Sequence, residues 1–172
     1  NVQKLGVDMM TINASKIYGP KKIATFYKKP TVTIDPIITG GTQEFALRAG
    51  TENIPAIVGM AAAVKKTRSL LETEKIRLGD LQNYFINQLQ KHISDITLNT
   101  NPEYTIPNIV NISIPDISSE EIVLRLDAVG VKASVKSACK SREEGDSHVI
   151  RALRDHNTQS IRFSMGRDTQ KA

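Results

Sequence analysis

Between Pro55 and about Ile93 the chain carries one sustained helical pattern, the sequence feature that most restricts how it can fold. Ala61, Ala62 and Ala63 are strong helix formers, and Leu71, Leu78, Leu81, Phe85 and Leu89 recur at sums of three and four residues. That spacing predicts one long helix or two abutting ones. Arg68, Glu72, Glu74, Lys75 and Arg77 fill the remaining face, and a charge run of this kind reads as a solvated helix surface. Strand-like segments lie on both sides of the helix, which makes it the hinge between two units.

Before the helix, Val7 to Ile12 and Ile23 to Tyr27 read as short strands, separated by IYGPK with its Gly-Pro breaker. The loop between them holds Ser15 and Lys16. Val32 to Ile38 is interrupted by Pro36 and leads into Gly40-Gly41, a pair that tolerates positive φ and close backbone approach. This is loop chemistry.

After the helix, strand and helix alternate. Val110, Ile112 and Ile114 alternate with Asn111 and Ser113, the period of two of a half-buried strand. Ser118 and Glu121 have capping-box spacing, Ile117 and Ile122 sit where a hydrophobic staple would close, and Gly130 is placed to end the helix. Val131 to Val135 reads as a strand and Lys136 to Asp146 as a polar loop containing Cys139. Ser147 can cap a helix through Arg154 with Val149, Ile150 and Leu153 inward. In the last strand Ile161, Phe163 and Met165 alternate with Arg162 and Ser164, so Arg162 faces away from the apolar side.

Composition bounds the function. With 172 residues and 40% apolar content, the chain can bury one ordinary core and a second partial one. A net charge of +5 permits a nucleic-acid partner without pointing to one. The single cysteine, Cys139, excludes an internal disulfide and any multi-cysteine zinc site and fits a reducing compartment. No apolar stretch approaches the roughly 20 residues of a membrane span. Asn1 runs at once into patterned sequence with no initiator Met and no signal, which reads as the start of a fragment.

Four ordered strings cover most of the chain: INASKIYGPK, GGTQEFALRAGTEN, SACKS and SIRFSMGR. Together they resemble the cysteine desulfurases, pyridoxal-phosphate enzymes of the class V aminotransferase group. The resemblance implies an α/β fold: the end of the large cofactor domain of a fold-type I transferase, residues 1–60, then the connecting helix and small carboxyl-terminal domain, residues 61–172 and incomplete at the end. The family's acidic partner for the pyridine nitrogen, its ring-stacking histidine and its main phosphate loop would lie upstream of Asn1. The implied activity removes sulfur from L-cysteine, giving L-alanine and a cysteine persulfide for iron–sulfur clusters or thiolated tRNA.

The resemblance also assigns residues. Lys16 matches the lysine that binds the cofactor covalently and then serves as the base at Cα, roles an amine suits because it condenses with an aldehyde and exchanges readily. Asn13 and Ser15 fall where the family binds the cofactor phosphate, although most members have His at the position of Ser15. Lys22 and Ala24 stand where glycines are usual. Thr51, in RAGTEN, matches the threonine that reaches the phosphate of the partner's site in a homodimer, and its Gly-Thr setting offers donors to an anion. Cys139 matches the nucleophile, a soft thiolate flanked by Lys136, Lys140 and Arg142. Arg162 matches the grip on the substrate α-carboxylate, where a guanidinium makes two parallel bonds.

The partners implied are L-cysteine, a second copy of the chain, and an iron–sulfur scaffold or other sulfur acceptor, in a cytoplasmic protein with no membrane or direct nucleic-acid contact. Arg48 reads as a brace for its own segment, Gln43 and Glu44 as structural, and His92, His148 and His156 as surface or cap residues. Two other readings stay open. One is a non-catalytic dimerisation or interaction module; the other is a different class V enzyme, which would need no cysteine in that loop.

Overall fold

Helix α2 (Ile54–His92) joins two compact units, Asn1–Leu71 and Glu72–Ala172, giving part of its length to each. The computed structural model describes residues 1–136, 147–153 and 159–171. Helix and strand are mixed in an α/β arrangement, and α2 is a single helix, the first of the two alternatives that the leucine spacing leaves open. Asn53 starts it, its Oδ1 accepting from Ala56 N at 3.2 Å, while Pro55 in the first turn lacks only a donor that would have had no helical partner.

The first unit opens with the single-turn helix α1 (Val2–Leu5), capped by Asn1. Strands β1 (Met9–Asn13) and β2 (Ala24–Lys28) follow, each one or two residues later than the predicted segment. They pair antiparallel from Met9↔Lys28 to Asn13↔Ala24. Residues 32–38 form no strand, in keeping with Pro36 and the glycine pair beyond it. Lys22, where the resembled family has glycine, takes a left-handed φ of 63°, a conformation that costs a residue with a Cβ roughly 1 kcal/mol.

In the second unit, β3 (Thr97–Leu98), β4 (Ile109–Ser113) and β5 (Ile161–Ser164) form an antiparallel sheet in that order. Its register places Val110 opposite Phe163 and Ile112 opposite Ile161. These side chains bury against Ile86 of α2, and Phe85 meets Phe163 edge-on with centroids 5.0 Å apart. The period-two pattern thus selects the core face. A buried Gln82 on the same helix donates to Ile109 O at 2.9 Å, which satisfies both groups where water is excluded.

Helix α3 (Ser119–Ala128) begins as its cap predicts, with Ser118 Oγ accepting from Glu121 N at 3.4 Å. Only half of the capping box forms, because the Glu121 carboxylate pairs with Arg125 one turn on. Its end is a complete Schellman closure: Gly130, at φ 82°, donates to Asp127 O and Val131 to Leu126 O. That closure explains why Val131 to Val135 is not the predicted strand. Val131 has its N–H committed to the helix end, and only Ser134 reaches the sheet, as an isolated bridge to Arg162. Helix α4 (His148–Leu153) buries Ile150 alone of the three residues expected inward. Val149 is offset from Ile150 by about 100° around the axis, and a helix this short offers the core a narrow stripe. Arg154 lies outside the described residues.

The charge run on α2 is more than a solvated face. Arg77 makes a two-bond pair with Glu74 (2.9 and 2.8 Å) and also donates to Thr169 O at 2.7 Å and Gly166 O at 3.0 Å, tying the segment after β5 to the helix. The hydrogen bonds from Arg77 hold the Glu74 carboxyl below the ordinary carboxylate range. A carboxylate whose folded pKa is depressed stabilises the fold above its unfolded pKa, and that contribution disappears as pH falls through the lowered folded value. Glu74→Gln should therefore lower the melting temperature at pH 7, with the difference from wild type vanishing in strong acid. An equal difference at both pH values would show that the pair matters only through packing.

Candidate functional site

The turn between β1 and β2 presents Lys16. Asn13 ends β1 with an extended backbone, and its Oδ1 accepts from both Ser15 N (2.9 Å) and Ser15 Oγ (2.8 Å). One carboxamide oxygen thus starts the 3₁₀ turn Ala14–Ile17, which Tyr18 closes in a left-handed conformation as Gly19 N donates to Ala14 O at 2.8 Å. The turn is pressed onto α2 at two glycines. A Cβ on Gly19 would come within 3.2 Å of Ala63 Cβ, and one on Gly59 within 2.6 Å of the Pro20 ring. Ala14 is fully buried under this contact. Lys16, on the outer side, is exposed and has no ion pair among the described residues.

Asn13, Ser15 and Lys16 are therefore brought together. The Ser15 proton is engaged by Asn13, so it must turn to serve an anion, whereas the Asn13 Nδ2 donors are not used by the turn. Thr51 lies in the same unit on the turn leading into α2, with its side chain exposed. The N–H of Gly50, offered by the sequence as part of an anion-binding pair, is already taken by Gln43 Oε1 at 3.2 Å. Gln43 is thus the residue that closes the RAGTEN turn. Arg48 braces it too, donating to Ala49 O. Just before it, Glu44, Phe45 and Ala46 all take left-handed φ angles of 50–62°, which the sequence gives no hint of.

Arg162 belongs to the second unit and stands on the sheet face opposite Ile161 and Phe163. That face is a half-buried polar layer. Its row runs Asn99, Asn111, Arg162, Ser134, with Ser113 and Ser160 almost fully buried beside it. Asn99 Nδ2 donates to Asn111 Oδ1 (2.8 Å) and Ser113 Oγ (2.9 Å), and Ser113 Oγ donates to Gln159 O (2.6 Å). Arg162 Nε is buried without a hydrogen-bond partner among the described residues. A cationic N–H left so is costly, and a carboxylate bound in the two-bond mode supplies what it lacks.

Ser134, five residues before Cys139 in sequence, exchanges two backbone bonds with Arg162, of 3.1 and 2.7 Å. Cys139 itself, with Lys140, Arg142 and His156, lies outside the described residues. His92 and His148 are exposed at the end of α2 and the start of α4, as expected. Among the described residues no helix is long and apolar enough to cross a membrane, and no cluster of His, Cys, Asp or Glu could hold a metal ion.

The donor set suits an anionic aldehyde cofactor: an exposed primary amine, without an ion pair among the described residues, beside carboxamide and hydroxyl groups. Comparison with known proteins identifies the family. The family model described as aminotransferase class-V matches residues 1–172. The chain is 41% identical over 174 residues to the cysteine desulfurase IscS of Dictyoglomus turgidum, covering 99% of this chain and 44% of that protein. It is 43% identical over 152 residues to cysteine desulfurase IscS 1 of Archaeoglobus fulgidus, covering 88% and 40%. A solved NifS-like protein superposes with a TM-score of 0.85 at 28% identity, over 99% of this chain and 44% of that one. The chain thus spans less than half the length of the relatives it matches.

Proposed function

The chain belongs to the class-V aminotransferase family, and on that premise we propose that the protein carrying it is a cysteine desulfurase dependent on pyridoxal phosphate. The net change would be L-cysteine plus the Cys139 thiol giving L-alanine plus a persulfide on Cys139. The sulfur–sulfur bond forms as the substrate Cβ–S bond breaks, and Cβ gains a proton. Pyridoxal phosphate, when bound, supplies the electron sink for this cleavage. Lys16 would hold it through the aldehyde carbon and move the proton at the substrate Cα, while Asn13 and Ser15 would offer donors to its phosphate and Thr51 would reach across to the phosphate in the site of a second copy of the chain. A homodimer in the cytoplasm, passing sulfur to an iron–sulfur scaffold or another acceptor, completes the reading.

The observation that carries it is the buried Nε of Arg162, which has no hydrogen-bond partner among the described residues. An amino acid gripped there by its α-carboxylate would be held by a strand bridged to Ser134, at the root of the Cys139 segment. The test is alanine formed from L-cysteine by the cofactor-loaded protein, in wild type and in Arg162→Lys. A single ammonium cannot reproduce the planar fork, so KM for L-cysteine should rise about tenfold or more while kcat changes less. A protein that forms no alanine from L-cysteine would refute the activity. An unchanged KM would remove Arg162 from the carboxylate site.

A further inference from the structure

We propose that Asn111 is a specificity-determining positioning residue for Arg162: its locked carboxamide turns a donor edge toward β5 and so leaves the guanidinium unclaimed for a substrate carboxylate. The inference rests on the carboxylate role of Arg162 argued above. Antiparallel neighbours alternate between pairs that exchange both backbone bonds and narrower pairs, about 4.5 Å apart at Cα, whose side chains crowd together. Arg162 exchanges its backbone bonds with Ser134, and Asn111 directs its own toward Thr100 Oγ1, Asn99 N and Thr100 N. Asn111 and Arg162 are therefore a narrow pair on one sheet face.

The orientation of the Asn111 amide follows from its neighbours. Ser113 Oγ gives its proton to Gln159 O, so toward Asn99 it can only accept, and Asn99 must face it with Nδ2. The second proton of that Nδ2 reaches Asn111, which must answer with Oδ1. Asn111 Nδ2 is thereby left on the β5 side, where it donates to Ser160 Oγ at 3.4 Å. Facing Arg162 from the adjacent strand is thus an N–H donor edge and no acceptor. The arrangement has a cost in stability, since Asn99 Oδ1 is buried without a partner among the described residues. A layer built only for stability would gain by turning an acceptor toward the cation beside it.

The test compares Asn111→Asp with Asn111→Ala in the cofactor-loaded protein. Aspartate is nearly isosteric and keeps the acceptor toward Asn99, but it sets a carboxylate beside Arg162 that competes with the substrate's own. KM for L-cysteine should rise about tenfold or more in Asn111→Asp and only a few-fold in Asn111→Ala, with kcat within about threefold in both. A purely structural role predicts the opposite order, because alanine destroys the network and aspartate preserves its shape. Titration with L-alanine, which has the carboxylate but no sulfur, keeps this inference separate from the desulfurase reading. Weaker L-alanine binding specific to Asn111→Asp supports the role of Asn111 even where L-cysteine is not turned over. Affinity equal to wild type, or a larger loss in Asn111→Ala, overturns it.

Discussion

Replacing Cys139 by serine should reduce alanine formation from L-cysteine by roughly three orders of magnitude or more, the loss typical of removing an essential nucleophile. A serine hydroxyl is almost wholly protonated at neutral pH and attacks sulfur poorly, whereas a thiolate is the soft nucleophile that forms a persulfide. Binding of L-cysteine should survive, because on the proposed reading the α-carboxylate would meet Arg162 and Lys16 would hold the cofactor, neither of which needs the thiol. The informative experiment therefore pairs alanine and sulfide release, with reductant present, against the absorbance change on adding L-cysteine. An intact absorbance change with no alanine is the expected result. Wild-type alanine production by Cys139→Ser would remove the nucleophile role and favour a class V enzyme that makes no persulfide on the protein.

The parts of the fold legible in the sequence are those where local chemistry and burial agree. Ile112 and Ile161 alternate with polar neighbours and bury on one sheet face, and Ser118 and Gly130 bound α3 with their own hydrogen bonds. Less legible were features that depend on partners distant in sequence. The Val131 to Val135 segment has the composition of a strand, but the closure of α3 claims Val131 before a ladder can begin. Arg77 looks like one charge among several, and only the fold brings Gly166 and Thr169 to it across 89 and 92 positions of sequence. At the candidate site, Lys16, Asn13 and Ser15 stand out only through the motif around them, which resembles the family's. Asn111 carries no signal of its own, since an asparagine alternating with isoleucines looks like any solvent-facing strand position. Its register opposite Arg162 and its contacts with Asn99 and Ser160 give it meaning.

Lys16→Ala should abolish both stable cofactor binding and turnover without disturbing the fold. The turn that carries Lys16 is built by the Asn13 oxygen, the Gly19 N–H and the packing of Ala14, and none of these involves the lysine side chain. An exposed side chain with no ion pair among the described residues can be cut back at little cost, so the melting temperature should stay within a few degrees of wild type. The chemistry is less forgiving. On the proposed reading Lys16→Ala would remove both the amine that bonds the aldehyde and the base that moves the Cα proton, and alanine formation should fall by about three orders of magnitude or more. Lys16→Arg should be no better, because a guanidinium stays protonated and does not condense with an aldehyde. A small free amine such as methylamine can restore proton transfer but not the covalent tether. Partial rescue of turnover by methylamine, with pyridoxal phosphate still lost on dialysis, would separate the two roles. Stoichiometric, dialysis-resistant colour in Lys16→Ala would mean that another group holds the cofactor.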